Sequence, residues 1–156
     1  MHTTHRPMKR MGFTLIEILI VVVILGILAA IVIPQFAEAS EDASKSAFAA
    51  EGKALLRSAL RYQLDTGQYP EDSSSGVIPA GMEAYVSAAQ WEGGTPLGGV
   101  WDAELGSFGI VSAIGVHFDG TGATRDDAFM LEVDVAIDDG DLATGRFQKL
   151  AADRYY

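Results

Sequence analysis

Twenty-one consecutive residues, Phe13 to Ile33 (FTLIEILIVVVILGILAAIVI), contain a single charged side chain, Glu17. No other stretch narrows the possible folds as much. At 1.5 Å per residue, a helix of that length spans about 31 Å, close to the hydrocarbon thickness of a bilayer. The twelve residues before it, MHTTHRPMKRMG, are basic and hold no acid. Lys9 and Arg10 flank the N-terminal end of the run, so that end is expected to stay cytoplasmic and the rest of the chain to be exported. A secretory signal peptide is the competing reading. Its apolar core is shorter and ends at a small-residue cleavage site, whereas Ala29–Ala30 lies inside this run. A lone carboxylate in lipid is costly, so Glu17 calls for a cationic partner.

Composition removes other classes. Of 156 residues, 11 are basic and 21 acidic, a formal net charge of −10; without the leader cations Arg6, Lys9 and Arg10, 8 basic residues face 21 acids, a net of −13. Such a chain lacks the basic footprint that nucleic acid requires, so no nucleic-acid partner is expected. There is no cysteine, which removes disulfides, thiolate metal sites and cysteine nucleophiles together. His117 is the one histidine beyond the leader, and an apolar setting suits a core or edge histidine. No H-E-x-x-H, P-loop or G-x-S-x-G pattern occurs, and the chain is not expected to be an enzyme.

Lys9-Arg10-Met11-Gly12-Phe13-Thr14-Leu15-Ile16-Glu17 resembles the prepilin signature of type IV pilins and type II secretion pseudopilins. The resemblance is strong from Lys9 to Pro34. It implies that a prepilin peptidase cuts between Gly12 and Phe13 and methylates the new amino terminus at Phe13. It also implies that Glu17 pairs with the Phe13 amine of a neighbouring subunit. The physics agrees, because the freed amine is a cation at matching depth in lipid. Gly26 weakens the helix locally and Pro34 removes one hydrogen bond, which predicts a kink; the resemblance implies that the helix between them can loosen on assembly, so a bend or partial melting is expected within Gly26–Pro34. A simple kink at the membrane exit is the alternative.

Beyond Pro34 the chain reads as helix to Thr66, with Phe48, Leu55, Leu56, Ala59, Leu60, Gln63 and Leu64 as one apolar stripe. Glu51, Lys53, Arg57, Arg61 and Asp65 form the polar face, either solvated or meeting an acidic surface on a neighbour. Gly67 and Pro70 stop the helix. Asp65-Thr66-Gly67-Gln68-Tyr69-Pro70 resembles the turn after the long helix of major pseudopilins.

The remainder predicts a small head. A short helix is expected over 81–90, with Met82, Tyr85 and Val86 on its apolar face. Strands are expected over 99–103, 107–118 and 129–137, with a hairpin turn at 119–122. The expected fold class is α+β: a long N-terminal helix, membrane-spanning in its first half, packed on a small antiparallel sheet. The expected divisions are leader 1–12, membrane or filament-core helix 13–34, amphipathic helix 35–66 and head 67–156. The tail turn carries Asp138, Asp139 and Asp141. Some related pseudopilins bind calcium in a C-terminal loop, and carboxylates suit that ion. An acidic turn without metal, or a helix capped by Asp141, are the other readings. Tyr155 and Tyr156 are expected to be docked or interfacial.

The leading functional expectation is a structural subunit of a secretion pseudopilus. Its expected partners are other pilin-like subunits, prepilin peptidase, an inner-membrane assembly platform and membrane lipid. It would sit as a single-pass inner-membrane protein, N-terminus cytoplasmic and head periplasmic or extracellular, before assembly. A type IV pilin of a surface fibre and a membrane-tethered binding domain are the alternatives. The missing C-terminal cysteine pair and the D-T-G-Q-Y-P turn favour the first.

Overall fold

The structure is a computed structural model in which residues 12–118 and 124–156 are described. The leader cations and the expected turn at 119–122 lie outside those residues. The elements are α1 (Leu15–Thr66), a 3₁₀ turn (Met82–Ala84), α2 (Ala88–Trp91), β1 (Val100–Leu105), β2 (Ser112–His117), α3 (Asp127–Ile137), β3 (Lys149–Ala151) and β4 (Arg154–Tyr155). The chain divides into two compact units, one ending at Ser40 and the other running from Glu41 to Tyr156.

In the first unit the described part is α1 alone. Its side chains are exposed throughout, and it is long and apolar enough to cross a membrane. The helix is unbroken across Gly26 and Pro34.

In the second unit, α1 ends where Gly67 takes a left-handed conformation (φ 75°). The Gly67 N–H donates to the Gln63 carbonyl at 2.8 Å, and the Thr66 hydroxyl donates to the Tyr62 carbonyl at 2.8 Å. Both satisfy carbonyls that a helix end leaves open. The buried line on α1 is Phe48, Leu55, Ala59 and Tyr62. This corrects the expected stripe: Leu56, Leu60 and Leu64 are 45%, 48% and 82% exposed. Successive helical residues stand 100° apart, so Leu56 and Leu60, one position past Leu55 and Ala59, and Leu64, two past Tyr62, turn away from the core. Tyr62 takes a place on the line because its ring packs edge-on against Tyr85 at 5.6 Å.

The sheet runs β1-β2-β4-β3, with every neighbouring pair antiparallel. Its core face meets α1 through Trp101, which stacks on Phe48 at 5.1 Å with planes 5° apart. Met82, Trp91, Leu97, Val116, Met130 and Tyr155 complete the core.

Three expectations are corrected here. Residues 129–137 form helix α3, not a strand. Asp126 caps it, its carboxylate accepting from the Phe129 N–H at 2.9 Å. Met130, Val133 and Asp134 are buried at helical spacing, while Val135 is largely exposed. The strands that close the sheet come instead from the tail. Val116 pairs with Tyr155 and His117 with Arg154. Gly115 permits this, because a Cβ there would collide with the Tyr155 carbonyl and the Tyr156 backbone. The expected strand 107–118 is confined to 112–117, since Gly106, Phe108 and Gly109 all have positive φ and make the β1–β2 turn. The expected helix 81–90 is split, because extended Ser87 caps α2 by accepting from the Gln90 N–H.

Candidate functional site

At the helix start, Thr14 precedes the first helical residue and Glu17 lies three positions on. The Thr14 backbone N–H and hydroxyl both donate to Glu17 Oε2 at 2.7 Å. The Glu17 N–H donates to Thr14 Oγ1 at 3.3 Å. These reciprocal bonds form a capping box, which satisfies two helix-end donors at once. T-x-x-E, Thr14 to Glu17, is its sequence signature. Gly12 and Phe13 lie just outside the helix, and Phe13 is 82% exposed. In the single chain, therefore, the Glu17 carboxylate is held by its own helix end.

The second site is the turn after α3. Carboxylate oxygens of Asp134, Asp138 and Asp139 lie within 4.8 Å of one another. Asp134 has no exposed surface, and neither of its oxygens accepts a hydrogen bond of good geometry. Its pKa is raised above the ordinary carboxylate value, first by burial and then by Asp139. The peptide N–H groups of Asp141 and Gly140 offset part of that rise. Asp138 accepts from the Arg146 N–H. Asp139 accepts from the Asp141 N–H and the Thr144 hydroxyl, both at 3.0 Å. Gly145, at φ 77°, is required beside the two carboxylates, since a Cβ would meet both. The structure thus brings Asp138 and Asp139 together as expected and adds Asp134. Asp141 stands outside that group, its carboxylate accepting from the Ala143 N–H at 3.0 Å. In the expected strand 129–137 the 134/138 spacing has no meaning; in helix α3 it sets Asp134 one turn before Asp138.

His117 is buried on the outer face of the sheet. Its Nδ1 lies 2.6 Å from Ser75 Oγ and its Nε2 3.2 Å from Asp153. The Tyr156 hydroxyl donates to Asp102 at 2.6 Å, and Arg154 bridges Asp102 and Glu104. These groups tie the last strand to β1 and β2. Burial and the Asp102 bond push the Tyr156 phenol far above its ordinary pKa.

A family profile described as "Prokaryotic N-terminal methylation motif" matches residues 8–33. The chain is 41% identical over 78 residues to the type II secretion system core protein G of Pseudomonas aeruginosa, covering 50% of this chain and 51% of the relative. It is 36% identical over 84 residues to that of Klebsiella pneumoniae, covering 54% and 56%. With the Aeromonas hydrophila protein of the same name it shares 30% over 129 residues, 76% of this chain and 90% of the relative. The chain therefore spans about half the length of the first two relatives and nine tenths of the third. No solved structure matches it.

Proposed function

The chain belongs to the family of type II secretion system core protein G, and from that premise we propose that it is a structural subunit of a secretion pseudopilus. The observation that carries this reading is coincidence: the methylation motif at residues 8–33 falls on the one described helix able to cross a membrane. Prepilin peptidase cuts between Gly12 and Phe13 and methylates the Phe13 amine. Before assembly α1 anchors the chain in the inner membrane, leader inside and head outside.

Assembly then exchanges one partner of Glu17 for another. In the single chain the carboxylate closes the Thr14 cap. In the filament it pairs with the Phe13 amine of a neighbour, a charge-assisted contact in a medium without water. The helix loosens between Gly26 and Pro34 as it packs.

Asp134, Asp138 and Asp139 suit calcium, because a buried carboxylate without hydrogen bonds is completed by a hard cation. These three carboxylates would hold the ion, which would offset their clustered charge and fix the turn after α3. Calcium is expected to raise the melting temperature of the chain and Asp134→Asn to abolish that rise. No rise in the unaltered chain would refute the site.

The processing is tested by co-expressing the full chain with a prepilin peptidase and measuring the intact mass. Loss of residues 1–12 plus one methyl group is expected. An uncut chain, or cleavage beyond Ala30 by a signal peptidase, would overturn the reading.

A further inference from the structure

The second half of α1 leaves two parallel ridges open to solvent, their first residues Lys53 and Leu56 at the edge of the groove between α1 and the head. One is Leu56, Leu60 and Leu64, all exposed. The other is Lys53, Arg57 and Arg61, also exposed. Both repeat every four residues, the spacing by which one helix seats in the grooves of another. No acid occurs between Gly52 and Leu64. Earlier on the same helix, residues 35–44 (QFAEASEDAS) hold Glu38, Glu41 and Asp42 and no base. All three are exposed. Asp42 lies 3.5 Å from Lys45 and Arg61 3.0 Å from Asp65, while Glu38, Glu41 and Lys53 make no ion pair among the described residues.

We propose that the Leu56–Leu64 and Lys53–Arg61 ridges are the docking surface for the acidic segment, Glu38 to Asp42, of a second copy of this chain. The proposal rests on the filament reading above. A neighbour in parallel and in register would set like charges side by side, which is costly. Sliding it by the sixteen residues that separate Glu41 from Arg57, about 24 Å of helix rise, sets Arg57 against Glu41 and Lys53 beside Glu38. The same shift places Leu56 and Leu60 beside the neighbour's 39–44 segment, where Ala39 and Ala43 leave room for close approach. The two surfaces differ, so each copy accepts one neighbour and offers itself to another, the rule for an open filament. One helix thus sets the axial step through its charge pattern.

The chain has no cysteine, which allows a direct test with full-length protein in cells that assemble it. One copy carries Glu41→Cys and the other Arg57→Cys. Oxidised filaments are expected to yield the mixed 41–57 dimer and no 57–57 dimer from Arg57→Cys alone. Charge reversal supplies the second readout. Arg57→Glu is expected to cut sheared filament yield at least ~tenfold, and adding Glu41→Arg in the same chain to restore most of it. Filaments that form without the 41–57 link, or that link at 57–57, overturn the surface and leave the pseudopilus reading standing. So does Arg57 captured on another protein, or a double reversal that fails to rescue. An unaltered chain that forms no filament overturns both.

Discussion

Along α1, residues 15–40 expose nearly every side chain, while residues 45–62 bury one narrow line of them and leave the flanks open. The backbone is the same helix in both. From Leu15 to Ile33 the first stretch is apolar all round but for Glu17, the mark of a helix whose solvent is lipid or other helices. The second is amphipathic and already has its partner, the sheet. Charge follows the same division. Among the described residues, Glu17 is bonded at its own helix end. In the head, Asp102 and Glu104 are buried and each is engaged by Arg154 or Tyr156. A segment reserved for assembly keeps its groups replaceable, and a segment that builds a domain commits them.

The largest change expected from breaking this contrast is in the head. Trp101 is fully buried against Phe48, so Trp101→Ala is expected to cost about 3–5 kcal/mol in denaturant unfolding. A loss under ~1 kcal/mol would show that the α1–sheet contact is loose. Next, Glu17→Leu is expected to reduce filament yield at least ~tenfold while head unfolding is unchanged, because it leaves an amine unpaired in lipid. Equal yield would end the assembly role of the carboxylate.

Tyr156→Phe removes the donor to Asp102 and is expected to cost about 1.5–3 kcal/mol, the value of a bond to a charged group. Its alkaline consequence has a definite sign. The phenol stays neutral in the fold and ionises at its ordinary pKa in the unfolded chain, so stability falls as pH rises through about 10. Tyr156→Phe flattens that limb of the stability curve.

Asp134 works in the opposite pH range. Its folded pKa is raised, so the folded state binds more protons than the unfolded one in the window just above the ordinary carboxylate value of 3.8. Without calcium, stability is expected to rise as pH falls through that window, and Asp134→Asn to remove the slope. An unchanged slope would mean that Asp134 is charged and paired. The smallest effect is Arg61→Ala, which breaks an exposed pair with Asp65 and is expected to change stability by about 0–1 kcal/mol.

Much of this was readable before any coordinates. The apolar run, its one glutamate and the Gly67 stop are local facts, fixed by hydropathy over one span and by a single left-handed residue. The prepilin resemblance rests on contiguous residues and needs no fold. The turn carboxylates Asp138 and Asp139 were also visible, because they are neighbours in sequence.

The head was less legible where two periods compete. FMLEVDVAI alternates apolar and polar residues as a strand does, yet it also places Met130, Val133 and Ile137 on one helical face. The Asp126 cap and the depth at which Asp134 is buried decide for helix, and both depend on where α3 lands. The closing strands β3 and β4 are three and two residues long, too short for periodicity, and exist because Gly115 lets the tail lie against β2. The sequence alone therefore determined the apolar run, the helix and its end, all governed by local composition. The tertiary structure decided which leucines of that helix face outward, that residues 127–137 coil, and that Asp134 joins the acidic turn, because each depends on which distant surface removes a side chain from water.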